Sequence, residues 1–415
     1  MGCCDVDGLM PLEQALAQMQ SSIANVCDVV ELPLSEALGY ALAEDIHSPL
    51  NVPPFNNSAM DGYAIKRDDL LACSVDSPVT LKQVGKSFAG APYVGQLNTG
   101  CCIRIMTGAV MPDGADCVVM QERVQANDDL ITFMQLPKLS DNVRLAGEDL
   151  KLNQLVLHKG HKLTPRDIPL IASLGIANVN VFRRLKVAVI SSGDELKSLG
   201  EPLLSGQIYD SNRYSIIALL SRMNVDVIDF GIIKDDRNLL NNAFSQADAQ
   251  ADVVITSGGV SVGEADFIKD ILAEMGEIGF WKLAIKPGKP FAFGKLPRST
   301  FFGLPGNPVS AMVTLYQLVV PALLTLGGMQ AKPAIRFNAI AQNRLKKAAG
   351  RTDFQRAIYA VDDHGRLVVS STGSQGSGVF SSMSQSNCFI VLEQHRGDVE
   401  IGEMVVIEPY NTLMD

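Results

Sequence analysis

The spacing of apolar positions changes repeatedly along the 415 residues, and each change marks a different architecture. Pro11 opens a run in which Leu12, Ala15, Leu16 and Met19 recur at helical spacing. Residues 35–46 (SEALGYALAEDI) predict a second short helix, and the prolines Pro49, Pro53 and Pro54 then exclude a regular element. From residue 56 to about 150 the text is different: the β-like runs Tyr63–Ile65, Val79–Val84, Cys102–Met106, Cys117–Met120 and Leu130–Met134 alternate with Gly, Pro, Asn and Asp turns. A helix restarts at Thr164-Pro165, where Thr164 suits an N-cap, Pro165 the first helical position and Gly175 the C-terminal cap. Helical text on both sides of a β-rich stretch predicts that the β domain is inserted into a helical linker domain.

Residues 184–332 have another rhythm. Leu185–Ser191, Val225–Ile233, Asp252–Thr256 and Thr300–Gly303 are apolar throughout and alternate with helices over Ile208–Met223 (starting near Asp210 or Ser211) and Ile268–Met275, and a long apolar helix follows Pro308. Strands without a polar face belong to a parallel sheet covered on both sides. Residues 333–415 return to short strands, Ile335–Ala341, Asp353–Val361, Leu367–Ser370, Cys388–Leu392 and Met404–Pro409, with a Ser/Gly-rich link over Ser371–Gly378. The pattern predicts a small C-terminal β-barrel. The expected architecture is a multidomain α/β plus β protein. Its parts are a discontinuous N-terminal helical linker domain (7–50 and 153–183), an inserted β-rich domain (51–152), a three-layer α/β domain with a mostly parallel sheet (184–332) and the barrel (333–415).

Composition narrows the function. Asp and Glu number 45 against 35 Lys and Arg, a net charge of −10, which argues against broad electrostatic binding to nucleic acid or to an anionic membrane. Residues 299–331 carry no charge, but Leu304-Pro-Gly-Asn-Pro308, Gln317 and Pro321 interrupt them, so a buried helix is expected rather than a membrane span. The eight cysteines form no C-x-x-C motif, and the starting segment has no apolar signal region and Val6 where a myristoylation motif has Ser or Thr; a reduced, cytoplasmic protein is expected. His158 and His161 read as a solvated turn rather than a zinc site.

In an open parallel sheet, ligands bind beyond the carboxyl ends of the strands. Four segments arrive there: Ser192-Gly193-Asp194-Glu195, Lys234-Asp235-Asp236, Ser257 to Gly263 followed by Glu264-Ala-Asp266, and Leu304-Pro305-Gly306-Asn307-Pro308. Gly-rich strand-to-helix turns offer free backbone N–H groups to an anion. Gly258 and Gly263 have P-loop spacing, but Glu264 and Ala265 stand where Lys and Ser/Thr are needed, and no G-x-G-x-x-G exists, which sets a nicotinamide dehydrogenase aside. Asp194, Glu195, Asp235, Asp236, Glu264 and Asp266 share this edge with Lys282, Lys286 and Lys289. Any one acid reads as a helix cap. Six acids and three lysines together read as a site where a hard cation such as Mg²⁺ reconciles carboxylates with a phosphate. A second polar cluster, Pro53–Tyr63 with Ile105–Gly108 and Arg144–Asp149, lies in the inserted domain, where composition alone favours turn chemistry.

Taken in order, PPFNNSAMDGYA, IMTGA, PDGAD, GED, SSGDEL, YDSN, TSGGVSVGEADF, KPGKPFAFG and GLPGNPVSA resemble the molybdopterin molybdenumtransferases, bacterial enzymes similar to the E domain of gephyrin. The resemblance runs from about residue 9 to the end. It implies an elongated homodimer of four-domain subunits whose third domain is similar to molybdopterin adenylyltransferase. It also implies insertion of molybdate into the dithiolene of adenylylated molybdopterin with Mg²⁺-dependent release of AMP, and an active site between the sheet domain of one subunit and the inserted domain of the other. The adenylyltransferase is the protein partner it implies. The family's catalytic positions fall on Asp61, Thr107, Arg144, Asp149, Glu195, Asp235 and Asp266. Glu195, Asp235 and Asp266 are the implied metal ligands. Ser192, Gly193, Asp194, Ser257, Gly258, Gly259, Ser261, Gly263, Lys282, Lys286, Pro305, Gly306, Asn307 and Pro308 are the implied substrate-binding residues. One departure is Leu145-Ala146, where the family often has Arg, and this thins the positive charge beside Arg144. The alternatives are an adenylyltransferase, which needs only the sheet domain, and a gephyrin-like scaffold, which has no need of Glu195 or Asp266.

Overall fold

The computed structural model describes residues 8–258, 267–411 and 413–414. Helix Leu12–Ser22 forms where the spacing predicts it, burying Leu12, Ala15 and Met19. Val29–Pro33 then pairs antiparallel with Asn178–Phe182, and Ile46–His47 with Leu155–Leu157, so the segments flanking the insertion close on each other as strands. This part of the chain carries less helix than the pattern predicts. Residues 35–46 are not a helix: a 3-10 turn covers Leu34–Glu36, Gly39 follows at φ +85°, and Ala41 and Leu42 bridge to Lys162 and Val181. A helix this short is marginal in water, and pairing across the domain satisfies the same backbone groups. The later helix starts at Asp167, not beside Thr164; the Thr164 backbone N–H (2.7 Å) and hydroxyl (2.6 Å) both donate to the Asp167 carboxylate.

The insertion is a six-stranded sheet in the order Cys117–Met120, Gly62–Ile65, Cys101–Ile105, Val79–Ser87, Leu130–Phe133, Val124–Asn127. It has its own core of Tyr63, Ile65, Leu70, Leu81, Cys102, Val119, Ile131 and Phe133. The α/β domain has a mixed six-stranded sheet: β1 (Lys186–Ser192), β2 (Asp226–Ile233), β3 (Val253–Ser257), β4 (Glu277–Lys282), β5 (Pro290–Lys295) and β6 (Thr300–Leu304) lie in the order β2-β1-β3-β6-β5-β4. The first four in that order are parallel; β5 and β4, which the apolar pattern did not mark, extend the sheet antiparallel.

Alternate side chains explain the three layers. Val187, Val189 and Ile255 face one core with helices α1 (Ser211–Ser221) and α4 (Pro308–Leu326), while Ala188, Ile190 and Val254 face another with α2 (Arg237–Gln250) and α3 (Phe267–Met275). The start of the predicted 208–223 helix is a two-residue strand, Ile208–Tyr209, and α1 begins after Asp210, whose carboxylate accepts the Arg213 N–H at 3.1 Å. α4 is apolar and long enough to cross a membrane, but 83% of that stretch is buried in the protein. A π turn at Leu315–Val319 lies within it, and there Gln317 donates to the buried Glu408 of the C-terminal domain at 2.6 Å. That domain closes as a five-stranded barrel (Phe337–Ala341, Thr352–Val361, Leu367–Ser371, Cys388–Leu392, Met404–Pro409), because Thr352–Val361 pairs with both Leu367–Ser371 and Cys388–Leu392. Ile285–Lys286 of the α/β domain adds to the same strand in parallel.

One glycine bears directly on the inserted polar cluster. A Cβ on Gly62 would lie 2.1 Å from the Val119 carbonyl oxygen, in the middle of the sheet. Gly62→Ala should therefore destabilise the protein by about 1–3 kcal/mol through overpacking. A denaturant midpoint equal to the wild type would refute this.

Candidate active site

Parallel register puts the β1, β3 and β6 carboxyl ends in one row: Ser191 pairs with Ser257, and Ser257 with Leu304. The chain leaves that row through turns only glycine tolerates well. Gly193 sits at φ +145°, and a Cβ there would meet the Glu195 carboxylate at 2.6–2.8 Å. Gly258 sits at φ +95°, with its Cβ direction 3.0 Å from the Ser192 carbonyl oxygen, and its N–H donates to the Leu304 carbonyl at 3.2 Å. Ser192, Ser257 and Pro305 are buried, whereas Gly306 and Asn307 are exposed. Gly259, Ser261, Gly263 and Asp266 lie outside the described residues.

Among the described residues Asp194, Glu195, Asp235 and Asp236 follow the strands at this edge, and Glu264 lies outside them with Asp266. Asp235 donates its N–H to Asp194 Oδ1 at 3.3 Å. Partial burial, then the nearby charges of Asp194 and Glu195, push the Asp235 carboxyl above its ordinary pKa. Asp236 has a different job, capping α2 by accepting the Asn238 and Leu239 N–H groups. Among the described residues no group of three or more His, Cys, Asp or Glu side chains is close enough to hold a metal by itself. The described donors at this edge are all carboxylate oxygens, the ligand type a hard cation takes.

The basic residues divide. The pairings Lys282–Pro290 and Ala292–Gly303 place Lys282 at the same sheet edge as Leu304. Lys286 lies one segment further, where its strand joins the barrel and its Nζ pairs with the buried Asp353 at 3.2 Å. Close by on the Asp353 strand is Arg356, whose side chain is fully buried. Its Nε donates to Ser382 Oγ at 3.0 Å and its Nη2 to the Gly376 carbonyl at 3.1 Å, while Nη1 has no partner in the chain. Burial lowers its pKa, offset in part by Asp353. A buried guanidinium N–H without an acceptor suits an oxyanion. The Ser/Gly-rich link belongs here too, since the Ser377 carbonyl accepts the Val309 N–H at the start of α4. Arg356 and Asp353 escaped the sequence reading. The available signal was a charge at Arg356 in step with Phe354 on a strand face that is otherwise apolar.

In the inserted domain, the polar segment is held from both sides. Ser58 and Asn57 pair with Val143 and Arg144; the Gly108 N–H donates to the Ser58 carbonyl at 2.8 Å, and the Ala146 N–H to Asn56 Oδ1 at 2.8 Å. Gly147 accepts φ +73° where a Cβ would lie 2.9 Å from Asn51 Oδ1. These bonds gather Asp61, Thr107, Arg144 and Asp149 onto connected turns. Asp61 Oδ1 accepts both the Thr107 backbone N–H (2.7 Å) and its hydroxyl (2.8 Å). The backbone bond, then the hydroxyl, lowers the Asp61 pKa, with Arg104 adding to the effect. Asp61 is thus an exposed, firmly ionised carboxylate.

A three-layer α/β domain whose parallel strands end in glycine turns followed by acidic residues has the organisation of a ligand-binding α/β enzyme domain. Comparison with known proteins gives that class a name. Three family models match: "MoeA N-terminal region (domain I and II)" over residues 10–175, "Probable molybdopterin binding domain" over 188–325 and "MoeA C-terminal region (domain IV)" over 338–410. The chain is 52% identical to the molybdopterin molybdenumtransferase of Haemophilus influenzae, covering 98% of this chain and 100% of that one. It is 35% identical to that of a Nostoc species over 92% and 88% of the two chains. The crystal structure of the molybdopterin biosynthesis moeA protein of Pyrococcus horikoshii superposes with a TM-score of 0.85 at 30% identity, covering 97% of this chain and 100% of that one. The chain belongs to the molybdopterin molybdenumtransferase family, transferases of molybdenum cofactor biosynthesis.

The electrostatics of the acidic edge can be tested directly. Asp194→Asn removes one of the charges that raise Asp235, so the Asp235 pKa should fall towards the ordinary carboxylate range in a carboxyl-carbon NMR titration. Because the folded pKa lies above the unfolded one, the wild type loses stability as pH rises through that window, and the variant should lose less. An unmoved Asp235 titration would show that the three acids do not act as one cluster.

Proposed function

We propose that the enzyme acts on adenylylated molybdopterin and molybdate, releasing AMP as molybdenum joins the dithiolene, and that it works as a homodimer with Asp61 facing the sheet edge of the partner. The observation that carries the reading is the acidic edge itself. Burial and the charges of Asp194 and Glu195 raise the Asp235 carboxyl beside the glycine turns, and a cation bound there together with an anionic ligand would relieve that conflict. Glu195 and Asp235 would hold Mg²⁺, with Asp266 as the expected third ligand. When bound, the ion neutralises charge on the pyrophosphate and the acids alike.

The chain's own groups do the rest. Gly193 and, in the Pro305–Pro308 turn, Gly306 and Asn307 would offer backbone N–H groups to the phosphates, and Gly258 leaves room for their approach. Ser192 and Ser257 lie beside them, and Gly259, Ser261 and Gly263 are expected from the sequence to contribute. Lys282 neutralises charge at the sheet edge. Lys286 and the free Nη1 of Arg356 attract molybdate, a tetrahedral dianion. Thr107 keeps Asp61 ionised, so Asp61 orients or deprotonates the attacking oxygen, and Arg144 and Asp149 shape the same surface. When water attacks the adenylyl phosphorus, the bond from phosphorus to the bridging oxygen breaks and AMP separates from the pterin phosphate. When a molybdate oxygen attacks instead, AMP is freed once that oxygen's bond to molybdenum breaks. In either case the dithiolene sulfurs replace oxygen on molybdenum, which leaves as water. Separate cores for the inserted sheet and the α/β domain support the composite arrangement, since each is complete as a unit that a second chain can approach. The pathway's adenylyltransferase is the natural donor of the adenylylated substrate, in the cytoplasm.

Purified enzyme mixed with adenylylated molybdopterin and Mg²⁺ should release AMP only when molybdate is added. Asp61→Ala should lower kcat by about 10²–10⁴, the range for a positioned acid–base group. AMP release indifferent to molybdate would contradict the transfer, and full turnover by Asp61→Ala would remove that residue from the site.

A further inference from the structure

The YDSN motif ends in a residue that neither the acid cluster nor the phosphate turns account for. Asn212 lies in the first turn of α1, two residues after the capping Asp210. Asp210 is itself fixed: it is buried and pairs with Arg213 at 3.0 Å, and Arg213 reaches Asp229 on β2 at 2.6 Å. The start of α1 is therefore tied to the sheet by an ion-pair chain whose first two members, Asp210 and Arg213, are buried, and the Asn212 side chain projects from a fixed base.

That side chain makes two hydrogen bonds with one nitrogen. Asn212 Nδ2 donates to Ser257 Oγ at 2.8 Å and to the Gly306 carbonyl oxygen at 2.7 Å. A backbone carbonyl can only accept, so the amide orientation is settled by chemistry. Ser257 ends β3 and Gly306 is the centre of the turn after β6. The amide thus ties together two of the turns that receive the ligand. Among the described residues the two turns are also joined by the longer bond from the Gly258 N–H to the Leu304 carbonyl, 3.2 Å, made one step closer to the sheet. Gly306 is exposed, and a Cβ there would meet nothing within 4 Å, so packing does little to hold the tip of this turn beyond the buried Pro305.

We propose that Asn212 is a positioning residue for the transfer reaction: its amide sets the separation of the Ser257–Gly258 and Leu304–Pro308 turns, and with it the affinity for adenylylated molybdopterin. The inference rests on the phosphate-binding role given to these turns above. It requires no contact between Asn212 and the reacting atoms. Losing the brace should weaken binding of a ligand that spans both turns and leave the chemical step almost untouched, because an interaction made equally in ground and transition states raises KM when removed and leaves kcat alone.

Asn212→Asp is the direct test, since it keeps the shape, removes both N–H donors and sets a carboxylate against the Gly306 carbonyl. Asn212→Ala removes the brace without adding charge, and Ser215→Ala, one turn along α1, serves as control. Steady-state AMP release should show KM for adenylylated molybdopterin raised about 10-fold or more in both variants, with kcat within about threefold of wild type. Thermal unfolding, read in parallel, should stay close to wild type, because the two bonds sit at a partly exposed edge. Unchanged KM in both variants would overturn the proposal. So would a fall in kcat at constant KM, or a loss of activity matched by loss of folded protein. If the wild type itself releases no AMP, the fault lies in the reading of the turns and not in Asn212.

Discussion

Parallel pairing of β1, β3 and β6 is the constraint on which the site depends. It fixes Ser191, Ser257 and Leu304 in one row, so three separate stretches of sequence must leave the sheet at the same edge. Each then needs a turn that neither blocks the row nor buries its own backbone, which explains the glycines at 193 and 258 and the Pro-Gly-Asn-Pro turn after Leu304. The acids follow these turns. Burial and then the charges of Asp194 and Glu195 raise the Asp235 carboxyl, the kind of local conflict that a functional site retains.

The C-terminal barrel is part of that edge and not an appendage. Ile285–Lys286 is hydrogen-bonded into the barrel strand that carries Asp353 and Arg356, and the Ser377 carbonyl caps the N-terminal turn of α4. Gln317, inside the π turn of α4, bonds Glu408, which Arg336 also holds at 3.0 Å. Lys286 of the α/β domain and the buried Arg356 are thereby carried on adjoining segments of one barrel strand and its partner.

Much of this was legible in the residues. Continuous apolar runs ending in Ser-Gly-Asp, Ser-Gly-Gly and Leu-Pro-Gly-Asn-Pro marked the parallel strands and their edge, because a strand buried on both faces has no polar alternation. The antiparallel strands β4 and β5 were harder to read, since WKLAIKPGKPFAFG mixes charge and proline with aromatic residues and its lysines drew attention as a site. Residues 35–46 looked helical by spacing, but Gly39 at positive φ and pairing with distant residues decided the outcome, and neither is visible locally. Arg356 was hidden for a similar reason: its burial depends on Ser382 and Gly376, which the barrel brings from elsewhere. Asn212 stood inside a recognised motif, yet its task appears only when Ser257 and Gly306 are seen within reach of one nitrogen.

The central claim is that the Asp61 surface and the Glu195–Asp235 edge work together from different chains. Mixing separately inactive Asp61→Ala and Glu195→Ala proteins under conditions that exchange subunits tests it most directly. A heterodimer would then hold one intact site and one doubly altered site, so AMP release should recover to about a quarter of wild type in an equal mixture of a symmetric dimer. A mixture as inactive as its parents, with exchange shown by an independent tag, would place both clusters in one chain and contradict the account.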